Sequence, residues 1–384
     1  MKLGSTEEMV LGDRRDVEIS FPLVPEKTEQ MLSKKELVDY TENRKALATW
    51  LLMEGKDPQE AKGYSTDTVK RSMYRLSYCE RVIWREYEQY IPILDHGHAD
   101  QYIEALAYSE KSQSHKHGCL HALKRYFKWR HHKYGEEDWE PARSFASNGN
   151  GQQPQDYFTK EERFKLRQAA LQIGEIPSYS TVKSDGERLQ RLKPYVAEYR
   201  DKPTELVSID DWDGVESWKF TSLVWTSLDA GLRPAEVAKA STKWLDLENN
   251  RLLIPKEDST KNEGNWKVAL HPKTSTALEN WRYERRHYPK YDDTDKLWLT
   301  TQSKPYGSNS LRNLLHHVCD KAGIETENRK VSWYSIRHSV GTYMTDDRDL
   351  ASTKEQLRHK RPETTMKYDA APTEDRTDSL TRMG

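Results

Sequence analysis

The sequence predicts a mainly α-helical protein with a small β-sheet, organised in two domains. Three observations lead there. Long stretches carry apolar residues at helical spacing. One stretch, WLDLENNRLLIPKEDSTKNEGNWKVALHP (244–272), instead reads as two or three short strands broken by turn residues. Between the helical parts lies EPARSFASNGNGQQPQD (140–156), whose Gly, Ser, Asn, Gln and Pro content is that of a linker. At 384 residues the chain is also long for a single core.

Residues 1–32 show little periodicity and read as an N-terminal arm. The first domain, 33–139, holds about four helices. SKKELVDYTENRKALATWLLMEG ends at Gly55, and TDTVKRSMYRLSYCERVIWREYEQYI starts at a Thr66 or Asp67 cap. HADQYIEALAYS and SHKHGCLHALKRYFKWRHHKYG follow, the last stopping at Gly135. After the linker, 140–156, the second domain runs over 157–384. Its first helix is announced by Thr159 and Glu162, a capping box. Residues 174–214 look like a charged insertion with a helix over 187–199. Helical patterning resumes at SWKFTSLVWTSLDAG, and strands with turns at Asn249-Asn250 and Asn262 to Asn265 come next. The rest is mainly helical.

Composition narrows the function. No stretch approaches the ~18 consecutive apolar residues of a membrane span. The start, MKLGSTEEMVLGDRRD, lacks the apolar core of a secretory signal. Cys79, Cys119 and Cys319 are too few and scattered for a disulfide framework, which fits a reducing cytoplasm. No Gly-rich phosphate loop is present, so no nucleotide site is expected. A net charge of −1 argues against a nucleic-acid binder, because phosphate neutralisation supplies much of the affinity. Distribution matters more than the sum. Seven Lys or Arg and no acid lie between Lys111 and Lys133, while acids crowd Asp201 to Glu216. A basic face on the first domain is therefore expected, with Lys70, Arg71, Lys116, Lys124, Arg125 and Lys128 as its DNA-facing residues. His115, His117, Cys119 and His121 are zinc-ligand types. They fall around a helix start rather than on one face, without a partner CxxC, so a basic DNA-facing helix explains them better than a metal.

The chemistry concentrates in the last third. His359 and Tyr368 stand nine positions apart in LRHKRPETTMKYD. Upstream are Arg233 in AGLRPAEV and Arg337 in SWYSIRHSVGTYM. Two guanidinium forks match the two non-bridging oxygens of one phosphodiester. A tyrosine oxygen beside that phosphate is a nucleophile able to form a covalent phosphoryl link. Each piece alone is weak: Arg233 could simply pair with Glu236, and Tyr368 could be one more core aromatic.

The ordered set resembles the tyrosine recombinases, the phage integrase family, and within it integrases of archaeal mobile elements. AGLRPAEV matches the first-arginine motif, RHSVGTYM the second, and LRHKRPETTMKY the histidine and the terminal nucleophile. The resemblance implies an all-α, SAM-like core-binding domain and a mixed α/β catalytic domain, closing as a C-shaped clamp on duplex DNA. It implies Arg233 and Arg337 on the scissile phosphate, Glu236 orienting Arg233, and His359 near the phosphate or the attacking oxygen. It makes Tyr368 the nucleophile that leaves a 3′-phosphotyrosine, and Lys261 the general acid, with Lys256 and Lys267 as nearby competitors. Tyr334 stands where the family usually has His, three residues before Arg337. Neither ATP nor metal is implied, since the phosphotyrosine conserves the bond energy. The implied partners are double-stranded DNA, a homo-tetramer on that DNA and an accessory DNA-bending protein, with no membrane. Two other functions stay open: DNA relaxation of the type IB topoisomerase kind, and an inactive DNA-binding regulator.

Overall fold

The structure, a computed structural model, describes residues 17–146, 156–259, 264–369 and 380–381. The chain divides into two units, 1–152 and 153–384. In the first, a short turn α1 (Glu26–Glu29) leads into α2 (Lys34–Met53), α3 (Thr66–Glu86), α4 (His96–Tyr108) and α5 (Gln113–Tyr134). Each long helix starts on a side chain that satisfies an orphan amide. Ser33 and Glu36 form a capping box on α2, with Ser33 N–H donating to Glu36 Oε2 at 2.7 Å. Asp95 caps α4 and Ser112 caps α5. α3 is capped by Ser65, not by the expected Thr66 or Asp67. Three cap-competent residues in a row left that start ambiguous, and the residue that turns extended settles it. Gly135, at φ 72°, ends α5 as expected.

Leu47, Leu51, Met73, Leu76, Leu123 and Phe127 form the centre of this unit's core. Part of the expected arm belongs to it too. Phe21 is buried, and Thr28 Oγ1 lies 2.7 Å from Ser77 Oγ on α3. A single aromatic anchor gives no periodic signal, so the docking was not legible. The first sixteen residues of the arm lie outside the described ones.

The second unit runs α6 (Lys160–Leu171), α7 (Tyr179–Val182), α8 (Gly186–Tyr199), α9 (Trp218–Ala230) and α10 (Pro234–Lys239). Three antiparallel strands follow in the order β1 (Leu245–Asp246), β2 (Arg251–Ile254), β3 (Trp266–Ala269). Then come α11 (Pro272–Arg285), α12 (Ser308–Lys321), α13 (Trp333–Asp347) and α14 (Leu350–Leu357). The Thr159–Glu162 capping box forms as the sequence predicts. α9 is buried on nearly every side because it is the central helix, packed against α6, α11 and α13. In the sheet Leu252 pairs with Val268, and these two with Ile254 face the core. α14 is pinned to β3 by Gln356, whose side chain exchanges hydrogen bonds with both backbone groups of Ala269 and donates to Asp229 O at 3.0 Å. That pin fixes where the chain leaves α14, and hence where His359 and Tyr368 sit.

Candidate active site

Helix ends build the site. α9 stops at Gly231, φ 55°, where a Cβ would lie 2.7 Å from the Leu357 side chain. Only glycine allows both the left-handed turn and that close approach. The chain then enters α10 through Arg233, with Pro234 at the first helical position. α14 ends opposite, with Arg358 in the left-handed region at φ 58°. Arg337 comes from the first half of α13.

Arg337 is 3% exposed. Its Nη1 donates to Gly231 O at 2.8 Å and its Nη2 to Leu357 O, so the two helix ends hold its fork between them. Arg233 donates from Nη1 to Glu236 Oε1 at 2.7 Å, and from its backbone N–H to Glu236 Oε2 at 2.8 Å. Glu236 is also met by Arg358, at 3.1 Å from Nε and 2.7 Å from Nη2. Arg358 further donates to Ala230 O and Gln356 O. One of the two arginines paired with Glu236 is thus a residue that motif spacing did not single out.

Charge is unbalanced here. Arg233 and Arg358 pair with one carboxylate, Glu236, Arg337 lies in the same field, and Lys367 Nζ adds a cation 4.9 Å from the Tyr368 ring centroid. Burial alone would raise the Glu236 carboxyl, but Arg358, Arg233 and Arg337 hold it well below the usual range. Burial, then the charges of Arg358 and Arg233, bring the Arg337 guanidinium down to about 9. Crowded cations with too few counter-charges form a receptor for an anion.

Tyr368 sits in this field, 5% exposed, in a small apolar cluster with Val340 and Leu357. Its ring occupies the space beside Gly341, where a Cβ would come within 2.5 Å of it. Burial pushes the phenol up to about 12, against the opposing pull of Arg337 and Arg233. Its oxygen lies 2.9 Å from His338 Nδ1. His359 stacks parallel to the Tyr368 ring with centroids 6.3 Å apart, and its Nδ1 lies 2.9 Å from Thr365 Oγ1. Burial, then Arg337 and Arg233, lower His359 to about 3, so it is neutral.

The structure therefore brings together Arg233, Glu236, Arg337, His359 and Tyr368. Tyr334 is exposed on the first turn of α13, one turn ahead of Arg337. Lys261 lies outside the described residues. Its competitor Lys267 is exposed on β3. Residues the motifs did not single out are His338, Arg358, Thr365 and Lys367. His338 and Arg358 are sequence neighbours of Arg337 and His359, the one signal that pointed to them.

In the first unit the six expected DNA-facing residues separate. Lys70, Arg71 and Lys124 are exposed. Lys116 corrects the expectation: it is 6% exposed and its Nζ donates to Ala107 O at 2.7 Å. Arg125 reaches Ser72 Oγ at 3.1 Å and lies over the Tyr64 ring. Lys128 donates to Gly55 O and Lys56 O, beyond the C-terminal end of α2. These heads tie up carbonyls and hydroxyls while their stems cover apolar surface. The histidines fall in the first turns of α5, as the sequence predicts. They lie along α5 as two pairs one turn apart, His117 with His121 at 3.1 Å and His115 with Cys119 at 3.4 Å. No group of three metal-ligand side chains occurs among the described residues.

Residues 216–374 match the model of the phage integrase family. No curated protein matches the chain in sequence. Among solved structures the chain is similar to the XerH site-specific recombinase bound to its difH substrate in a pre-cleavage complex. That match has 16% identity and TM-score 0.53, covering 91% of this chain and 89% of that one. The post-cleavage complex of XerH on palindromic difH matches at 15% identity and TM-score 0.52, over 88% and 85%. At such identities the likeness speaks for the fold. No helix among the described residues is long and apolar enough to cross a membrane.

Proposed function

We propose, on the premise that residues 216–374 of this chain belong to the phage integrase family, that the protein is a site-specific DNA recombinase. It cuts and rejoins strands through a 3′-phosphotyrosine. The observation that carries this reading is the cationic excess of Arg233, Arg337, Arg358 and Lys367 over Glu236, set against a buried tyrosine. Such a field favours a bound phosphate and the charge that develops on its equatorial oxygens during in-line displacement.

Arg233 and Arg337 exchange their carbonyl and carboxylate partners in part for the non-bridging oxygens. Glu236 and Arg358 keep Arg233 aimed. His359, its Nδ1 engaged by Thr365, offers Nε2 to a phosphate oxygen. Tyr334 donates its phenolic hydrogen from the start of α13. Tyr368 attacks phosphorus, the bond to the 5′ oxygen breaks, and Lys261 protonates that oxygen. Lys70, Arg71 and Lys124 meet the DNA backbone from the helical unit. Four protomers on two DNA sites, aided by a DNA-bending accessory protein, complete the exchange. The setting is the cytoplasm.

The test lets the protein choose its own target. Purified protein is mixed with a pool of randomised duplexes and denatured, and the DNA left covalently bound is sequenced. One recovered sequence family, with the adduct on Tyr368 and none in Tyr368→Phe, is the expected result. An adduct that persists in Tyr368→Phe would overturn the assignment. Relaxation of supercoiled plasmid without any sequence requirement would favour a type IB topoisomerase.

A further inference from the structure

We propose that His338 takes the proton from Tyr368 as the tyrosine–phosphate bond forms, a role that rests on the recombinase reading above. The geometry is direct. His338 Nδ1 lies 2.9 Å from Tyr368 Oη, within hydrogen-bond range for proton transfer. The rings are tilted by 52° with centroids 5.8 Å apart, so the contact is edgewise at the nitrogen rather than a stack. Both partners are held. His338 follows Arg337 on α13, and the Tyr368 ring is seated one turn further on against Gly341.

Other bases in the cluster are less suited. The Glu236 carboxylate is engaged by Arg233 and Arg358. His359 has its Nδ1 on Thr365 and its ring parallel to that of Tyr368. Tyr334 is an exposed phenol, and a phenol is a poor proton acceptor near neutral pH. Burial, then Lys367 and Arg337, lower His338 to about 4, so its ring is neutral when DNA arrives. With the proton on Nε2, the Nδ1 lone pair accepts the hydrogen bond that the phenol donates.

A weak base suffices because transfer accompanies attack instead of preceding it. As the O–P bond forms, the phenolic oxygen becomes that of a protonated ester, whose proton is far more acidic than an imidazolium. The phosphate charge also offsets Lys367 and Arg337, the two cations that depress the ring. The step balances: O–P forms, P–O5′ breaks with its electron pair on the 5′ oxygen, and the general acid protonates that oxygen. The phenolic proton rests on His338 Nδ1. Rejoining returns it.

The experiment uses the full chain and the duplex recovered by the covalent trap, comparing wild type with His338→Asn and His338→Ala. Asparagine keeps an oxygen that accepts a hydrogen bond but cannot take the proton. Both variants are expected to bind the duplex as wild type does and to form adduct ~10²–10⁴-fold more slowly, the usual weight of a general base. Sulfur at the 5′-bridging position removes the need for leaving-group protonation, and it is expected to leave this defect uncorrected. Adduct formation by His338→Ala should rise about tenfold per pH unit above neutrality, following phenolate, while wild type stays flat. Added imidazole should restore part of the His338→Ala rate. Variant rates within about threefold of wild type, or full recovery on the sulfur substrate, would overturn the proposal. A wild-type rate proportional to hydroxide would do so without any variant. Absence of a wild-type adduct on Tyr368 would instead bring down the recombinase reading beneath it.

Discussion

Each unit buries a glutamate against arginine, and the two arrangements are opposites. In the helical unit Glu80 meets Arg44 at 3.3 Å, one charge to one charge. Tyr40 donates to the same carboxylate, and Arg44 sends its other N–H groups to Met73 O and Leu23 O. In the second unit Glu236 meets two arginines, a third lies in the same field, and a lysine flanks the tyrosine. The first pair is closed and has nothing left to offer a ligand. The second is short of negative charge. Burial and ion pairing alone do not mark a site; the imbalance does.

The comparison breaks most readily at the closed pair. Glu80→Ala leaves Arg44 buried and unpaired, and is expected to destabilise the protein by about 3–5 kcal/mol in chemical denaturation. Replacing both by apolar residues of similar volume should recover most of that loss. The same double replacement at Glu236 and Arg358 should leave no measurable covalent adduct even if the chain folds. Recovered cleavage there would show that the imbalance is incidental.

Arg337→Lys keeps charge but loses the fork that spans Gly231 and Leu357. Cleavage of the trapped duplex should fall ~10²–10³-fold with near-normal binding. A change of less than about threefold would remove Arg337 from the phosphate.

A third test uses acid. His338 and His359, lowered to about 4 and 3, are neutral in the folded chain and charge more readily in the unfolded one. The unfolded state therefore binds more protons between these values and the ordinary histidine pKa of ~6.5. Stability should rise with pH across that window and be lost as pH falls through it. Glu236 adds to the loss once pH falls below the ordinary carboxyl value of ~4.3, because its folded value is depressed as well. A double variant His338→Asn, His359→Asn should flatten the slope, read by urea denaturation at several pH values. An unchanged slope would mean that neither ring is held neutral.

The smallest effect separates exposed from engaged lysines. Lys124→Glu should weaken DNA binding and reduce its salt slope by about 1. Lys128→Glu should mainly lower stability, since that ammonium holds the end of α2. Equal changes in salt slope would undo the distinction.

Much of this was legible in the sequence, for local reasons. The Thr159–Glu162 box, the Asn249-Asn250 turn and the Gly135 stop are short-range devices, and each appears where its residues predict. The Arg, Arg, His, Tyr order was legible because a family resemblance fixed its meaning. Pairings across the fold were not. Glu236 and Arg358 are 122 residues apart, and nothing in either motif says that they touch. Lys116 looks like its exposed neighbours in the acid-free run, because whether a lysine head meets a carbonyl or water depends on the adjoining helix.

In the proposed reaction, Gly341 bears on what happens after the strand is cut. Once Tyr368 is esterified, the broken 3′ end hangs from a ring seated against α13, with only two side-chain torsions between it and the backbone. The severed strand is thereby kept in register with the phosphate clamp while its 5′ partner is free to leave. The seat that readies the nucleophile is then also the jig for resealing, and a loose fit there would show up as unrepaired breaks rather than as slow cutting.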